Sequence, residues 1–316
     1  MNTKQHTHIC FLILHYIDVQ LTSKTIESIK ELNHFDSSQI VVVDNASPNG
    51  SGEFLKQRYK DVKEIHVILS EKNNGFSAGN NIGFQYIKNK FVSDFVIAIN
   101  NDIIFPQKDF IDKLNVLYNE EPFWVAGPDI YEPHRDYHSS PMYEHLLSTQ
   151  GARRVMVEIK RERKALEKFF SLYGLKLYIR DSFRGDKKVR LLIKLNRLIR
   201  GQKRKYREKN EGIVLQGACL IFDKRYCEKN SKLFLPFTFM YGEEILLTLQ
   251  CAKNNWEIRY FPDLLVWHFS RGSSQGKKVS YREYCKKMVI ELERRQKAYE
   301  IYIEQLQKNA ECTLLL

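Results

Sequence analysis

Continuous apolar runs alternate with segments of helical period through the first 120 residues. His8–Leu14 (HICFLIL) reads as a buried strand, and a helix is predicted over 19–32 with Ile26 and Ile29 on one face. Gln39–Val43 is a second strand, ending at Asp44; a Pro-Asn-Gly turn and a short helix near 53–58 follow. Strands are predicted at 64–69 and 94–99, and helices at 80–88 and 108–119. Repeated βα units whose strands are apolar throughout imply a parallel sheet covered on both faces. Ligands of such sheets sit beyond the carboxyl ends of the strands. That puts Asp44, the Ser70–Gly79 loop and Asp102 on one rim.

After Phe123–Pro128 the rhythm breaks. A strand is expected at 213–222, a helix at 243–253, strands at 256–260 and 264–268, and a long charged helix at 281–307. Apolar residues make up 43% of the 316, enough for a large core. No run reaches the ~18 apolar residues of a membrane-spanning helix, and the N-terminus reads as a first strand rather than a signal peptide. Six scattered cysteines form neither a C-x-x-C pair nor a zinc spacing, which fits core thiols in a reducing cytosol. The net charge of +12 is uneven: residues 151–210 hold 21 Lys/Arg against 6 Asp/Glu, and the rest holds 29 against 32. Within that basic insert, Lys188–Arg200 is amphipathic at ~100° per residue. Leu191, Leu192, Leu195, Leu198 and Ile199 share one face; Arg190, Lys194, Arg197 and Arg200 share the other; Ile193 lies off the apolar face.

Five clusters could carry chemistry. Asp44, in VVVDNAS, could accept from a pyrimidine N3–H or a ribose hydroxyl, or simply hold a turn. The small residues of NNGFSAGNNIG, Asn73–Gly83, would let backbone N–H groups approach a ligand, though they also suit a plain loop. The strand at Phe95–Ile99 stops at Asn100-Asn101-Asp102, and Asp102 could bind a hard divalent cation bridging two phosphates. Glu243 and Glu244 open a helix, as first-turn charge or as a general base. His268 ends an apolar strand, as a core residue or a metal ligand.

Together VVVDNAS, NNGFSAGNNIG, INND, LQGACLIF, FMYGEE and WHFSRGSS resemble, in order and spacing, the inverting glycosyltransferases of family 2, in particular the bacterial rhamnosyltransferase-like branch. The resemblance covers 8–128 and 212–308. It implies an α/β protein of the GT-A nucleotide-diphospho-sugar transferase fold, with a mostly parallel central sheet flanked by helices. Residues 1–150 would be the nucleotide-sugar-binding half, 151–210 a basic helical insert, 211–280 the acceptor-side half with the base, and 281–316 a C-terminal helix. INND stands where the family has Asp-x-Asp, with Asn100 in the first acidic position. By the same resemblance, Asp102 and His268 would hold Mg²⁺ or Mn²⁺ and Glu244 would be the catalytic base. Substrate contacts would come from Asp44, Asn73, Asn74, Gly75, Gly79, Asn101, Gly217 and Glu243. The chain departs from the family at Leu246 and Gln250.

The implied reaction moves a sugar from a dTDP- or UDP-sugar to a saccharide acceptor, lipid-linked, in O-antigen or capsule synthesis. One in-line displacement would invert the anomeric centre, unlike the paired carboxylates of a glycoside hydrolase. A nucleotidyltransferase is the alternative enzyme, but Leu14–Asp18 holds no Gly-rich, Lys-containing activation loop. A degenerate, non-catalytic paralogue is the reading suggested by Leu246 and Gln250. Nucleic-acid binding is disfavoured because the chain outside the insert is net acidic. The amphipathic stretch suits a cytoplasmic protein peripheral on the inner face of an anionic membrane; packing on the catalytic domain or in a homodimer is the rival.

Overall fold

The computed structural model describes residues 7–168, 171–182, 208–211, 213–269 and 280–313. The amphipathic stretch 188–200 and Arg271–Ser274 lie outside them. The chain divides into two compact units.

The first unit begins with β1 (Ile9–His15), α1 (Val19–Lys30), β2 (Gln39–Asp44), α2 (Ser51–Arg58), β3 (Ile65–Leu69), α3 (Gly75–Lys90) and β4 (Phe95–Asn100). It continues through β5 (Ile103–Ile104), α4 (Phe110–Glu120), β6 (Val125–Glu132) and β7 (Tyr137–His138). After the insert come β8 (Asn210–Glu211), β9 (Cys219–Asp223), α7 (Lys224–Lys229), α8 (Glu243–Lys253) and β10 (Ile258–His268). The strand order is β3-β2-β1-β4-β9-β6-β10-β5, with β7 on β6 and β8 on β10. The first four strands are parallel; β9 runs antiparallel to β4 and β6, and β6 and β10 are parallel again. The sheet is therefore parallel through β3-β2-β1-β4 and mixed beyond it.

Strand alternation gives each face its own core. Ile9, Phe11 and Ile13 of β1 join Ile26, Ile29, Leu55 and Leu114 on one side. Cys10 and Leu12 join Phe84, Ile87, Tyr226 and Leu247 on the other. Helices α1, α2 and α4 thus cover one face, and α3, α7 and α8 the opposite one. At the start of α1, the Asp18 side chain caps the helix by accepting from Leu21 N at 3.0 Å. The register sets Leu14 beside Asn100, and His15 beside Asp44, which in turn stands beside Leu69. The parallel strands end flush and form the expected rim.

Four elements differ from expectation. Helix α3 starts at Gly75 rather than residue 80, because Asn73 and Asn74 bond their own loop and leave the following Gly-rich residues to the helix. The expected 213–222 strand pairs continuously only from Cys219, in β9, which ends at Asp223; Val214 makes an isolated bridge to Tyr143. The two strands expected at 256–260 and 264–268 are one, β10, irregular between Phe261 and Leu265 where Pro262 lacks a donor. Strand β6 continues past Pro128, after which the βα rhythm was expected to break, as far as Glu132.

The second unit holds α5 (Thr149–Glu167), α6 (Leu172–Ser182) and α9 (Tyr281–Thr313). Ala152, Ile159 and Leu166 repeat every seven residues along α5, a seam that buries. On α9, Cys285, Leu292, Ala298, Tyr299 and Tyr302 are buried, and Tyr302 Oη donates to Leu147 O at 2.7 Å.

Candidate active site

The rim is tied together by two polar clasps. The first is His15, fully buried at the end of β1. Its Nδ1 is 2.6 Å from Thr22 Oγ and its Nε2 is 2.9 Å from Ser51 Oγ. Thr22 donates its one hydroxyl proton to Asp18 O, so it accepts from Nδ1–H; Nε2 is then the acceptor for the Ser51 hydroxyl. Burial holds the imidazole below its ordinary pKa, against the pull of Asp44 and Asp18. Nε2 is 3.8 Å from Asp44 Oδ1, but a neutral ring makes no ion pair there. Asn101 Nδ2 also donates to Thr22 Oγ, at 3.1 Å. One imidazole thereby ties the end of β1 to the first turns of α1 and α2 and, through Thr22, to Asn101 just past β4.

The second clasp is Asn45. Its Nδ2 donates to Asn73 Oδ1 and to Gly75 O, both at 3.1 Å, and its Oδ1 accepts from Asn74 N at 2.9 Å. Gly75 is left-handed, with φ at 78°, and a Cβ there would lie 2.0 Å from Phe239 O. That same carbonyl accepts from Phe76 N at 2.7 Å. The Asn73–Gly75 loop is thus fastened to the segment leading to Glu243. Neither His15 nor Asn45 stands out in the sequence: one hides in an apolar run, the other in a turn.

Asp44 is 3% exposed, and Oδ1 accepts from Ser47 Oγ at 2.5 Å. It does hold the turn after β2, so the turn role is real whatever else it contacts. Gly79 packs inward: a Cβ there would be 2.7 Å from Leu14 Cδ1. It lets α3 approach β1 and does not face the open rim.

Asn100, Gly217 and Glu244 come together where the end of β4 meets the start of β9, and Asp102 and His268 come together where β10 ends beside the turn after β4. Asn100 N donates to Ala218 O at 2.9 Å, and Gln216 Oε1 accepts from Ala218 N at 2.6 Å. In the turn so formed, a Cβ on Gly217 would be 2.6 Å from Glu244 Oε1. Glu243, next to it, is buried and accepts from Thr238 Oγ at 3.1 Å. Burial, with the Glu244 charge adding, pushes Glu243 up to about 7, against the Thr238 and Ser77 hydroxyls. The half-buried Glu244 is the carboxylate of the pair that a solvent-borne group can reach.

His268 Nε2 lies 3.2 Å from Asp102 Oδ1, and Phe269 N donates to Asp102 O at 3.0 Å. Burial opposes the imidazolium, but the contact with Asp102, with Glu132 adding, outweighs it and raises the His268 pKa. Asp102 Oδ1 has His268 Nε2 as a close polar neighbour, an ion-pair contact that does not meet hydrogen-bond geometry, and His268 Nδ1 is buried without a hydrogen-bond partner among the described residues. A carboxylate oxygen and an imidazole with unfilled bonding capacity fit a hard divalent cation. Among the described residues, no three His, Cys, Asp or Glu side chains gather into a closed metal site, so a bound ion would take its other ligands from substrate and water.

The two departures have local causes. Leu246 is 2% exposed in the α8 core face, and Gln250 Nε2 donates to Asn230 Oδ1 at 3.0 Å.

This arrangement, a parallel βα half with an acidic strand end and a mixed half whose Glu-Glu helix start approaches the Gly217 turn, is that of a sugar-nucleotide transferase fold. Residues 11–186 match the family model described as glycosyl transferase family 2, and the chain belongs to that family. It is 29% identical over 103 residues to the dTDP-rhamnosyl transferase RfbF of Shigella flexneri, covering 33% of this chain and 31% of that protein. It is 32% identical over 109 residues to the low-salt glycan biosynthesis hexosyltransferase Agl10 of Haloferax volcanii, covering 34% of each. Those alignments span about a third of each curated relative. The fold is similar to that of the mannosyltransferase PcManGT of Pyrobaculum calidifontis, solved with GDP-Man and Mn²⁺ (TM-score 0.51, 12% identity, 98% of this chain and 76% of that one). It is also similar to TarS 1–349 of S. aureus in complex with UDP-GlcNAc (TM-score 0.52, 11% identity, 95% and 72%).

Proposed function

We propose that this chain is an inverting glycosyltransferase that moves a hexosyl or deoxyhexosyl group from a dTDP- or UDP-sugar to a saccharide acceptor. The observation that carries the reading is the closeness of Glu244 to the Gly217 turn, whose Ala218 carbonyl takes the N–H of Asn100. A proton-accepting carboxylate and the strand end that would meet the donor thus share one rim. Asp44 and the Asn73–Gly75 loop bind the nucleoside, Asn101 and Gly217 line the donor, and Asp102 and His268 would hold Mg²⁺ or Mn²⁺. The bound ion would supply Lewis-acid neutralisation of the departing diphosphate. Glu244 Oε takes the proton of the acceptor hydroxyl as that oxygen attacks the anomeric carbon. Glu243, buried and raised towards neutrality, shapes the helix start and carries less negative charge beside Glu244 than an ordinary carboxylate would.

The acceptor is a lipid-linked saccharide of bacterial surface polysaccharide, O-antigen or capsule, at the inner face of the cytoplasmic membrane. Among the described residues no helix is long and apolar enough to cross a membrane. Support for a peripheral contact comes from the second unit: Arg153, Arg154, Lys160, Arg161 and Lys164 are exposed on α5, and Leu172, Leu175 and Ile179 on α6. Pelleting with anionic vesicles at low salt tests this; a protein left in the supernatant favours packing on a second copy instead.

The enzyme assay uses nucleotide-sugar turnover with Mg²⁺ or Mn²⁺. Asp102→Ala abolishes cation-dependent donor binding, and Glu244→Gln keeps donor binding while cutting transfer by ~10²-fold or more. Donor affinity indifferent to chelator and to Asp102→Ala overturns the metal assignment. A mild Glu244→Gln beside a crippling Glu243→Gln overturns the choice of base.

A further inference from the structure

The first unit has a second concave site, lined by none of the residues given roles above. Strands β6 and β10 pair so that Asp129 stands beside Leu265 and Tyr131 beside Trp267. Alternation turns the intervening Ile130 and Val266 into the core and brings the other four side chains together. They line a cavity of about 650 Å³ with Asp136 and His138, a volume in the range of small-molecule sites.

Its chemistry is specific. Asp129 is 5% exposed, and its Oδ2 is 2.7 Å from His138 Nδ1. Its Oδ1 is buried with no hydrogen-bond partner among the described residues. A buried carboxylate oxygen left without a donor is costly; a ligand hydroxyl would satisfy it. Above it, Tyr131 Oη donates to Asp136 Oδ1 at 3.0 Å, and the Trp267 indole is 37% exposed. A half-exposed indole offers a flat apolar surface beside polar groups that can orient a ring. Charge decides against a nucleotide: Asp129, Asp136 and Asp263 line the cavity against Lys113 and His138, and Lys113 is already 3.2 Å from Asp109. A phosphate would meet net negative potential. A neutral polyhydroxylated ring would meet acceptors for its hydroxyls and an indole for its C–H face.

We propose that this cavity is a second saccharide site, which takes a neutral sugar residue of the glycan being extended, at a distance from the transferred group. That the sugar belongs to the acceptor rests on the transferase reading; that the cavity binds a neutral sugar does not. Trp267 is the stacking surface and Asp129 the buried hydroxyl acceptor.

Saturation-transfer NMR on the full chain, with the methyl glycosides of glucose, galactose, mannose and rhamnose, tests it. At least one glycoside receives saturation, and the signal persists when UDP or dTDP with Mg²⁺ fills the donor site. Trp267→Ala and Asp129→Asn each weaken that binding by ~10-fold or more. Asp136→Asn, at an exposed residue, also weakens it and keeps the test open if the Asp129 variant does not fold. Saturation of none of the four, loss of signal on adding the nucleotide, or binding unchanged in the folded variants overturns the proposal. Absent sugar binding with normal donor turnover removes the second site and leaves the transferase; sugar binding without donor turnover does the reverse.

Discussion

Gly217 and Glu244 are in such close approach that a methyl group on the first would lie 2.6 Å from Oε1 of the second. The clash is with the far end of a side chain, so the fold can absorb it while the carboxylate cannot keep its position. Gly217→Ala is expected to leave the unfolding midpoint nearly unchanged and to lower transfer by ~10²-fold, the cost of misplacing a catalytic group by about 1 Å. Steady-state kinetics beside a thermal melt checks this; unchanged turnover would show that Glu244 need not sit there.

Glu243 makes stability depend on pH. Its folded-state pKa is pushed up to about 7 from 4.5, so between those values the folded chain binds more protons than the unfolded one. Stability from this group is intact below pH 4.5 and falls as pH rises towards 7, by on the order of 3 kcal/mol in all. Glu243→Gln should flatten that slope and leave the variant more stable than the parent at pH 8. Denaturant titrations from pH 4.5 to 8 measure it, and parallel slopes would sink the assignment.

Two left-handed glycines separate backbone strain from packing. Gly50, with φ at 73°, has nothing within 4 Å of the place a methyl group would take, whereas Gly75 meets Phe239 O. Gly50→Ala is expected to cost about 1 kcal/mol. Gly75→Ala should cost more than twice as much and raise the donor KM as well, because it pushes the Asn73–Gly75 loop off its anchor. Equal midpoints for the two variants would contradict the close approach.

The His15 bridge is tested by His15→Leu, which leaves the Thr22 and Ser51 hydroxyls without their ring partner. The loss expected is about 1–3 kcal/mol, with weaker donor binding as Asn101 and the Asp44 turn loosen. For this residue the sign of the pH effect is opposite to that of Glu243: its pKa is lowered by burial, so its contribution is present above pH 6.5 and lost as pH falls below it. A variant that keeps the parent's acid sensitivity in that window would rule His15 out as its source.

Local signals made much of this legible in advance. The abrupt stop at Asn100–Asp102 and the Glu243–Glu244 helix start are polar groups set against apolar runs, and both lie at the rim. The Trp267–His268 strand end was readable for the same reason. His15 was not, since a histidine following HICFLIL differs from a core residue only through partners 7 and 36 positions away. Asn45 acts on a loop 28–30 residues on, and Asp129 acts through His138 and a neighbouring strand. Gly79 was legible as small but not as packing, because its neighbour Leu14 is supplied by the sheet. Pairing across the sheet, rather than pattern along the chain, decided these cases.

Strand order also bears on how the chain is made. Strand β4 pairs on one side with β1 and on the other with β9, and the whole of α5 and α6 is encoded between them. On the ribosome, β1 to β4 can assemble early, but the Phe95–Asn100 edge then presents apolar side chains and unpaired backbone groups until Cys219–Asp223 emerges. An uncovered edge of that kind recruits other strands. Nascent chains stalled between α6 and β9 should therefore be held by chaperones or aggregate, whereas release after Asp223 closes the edge from within.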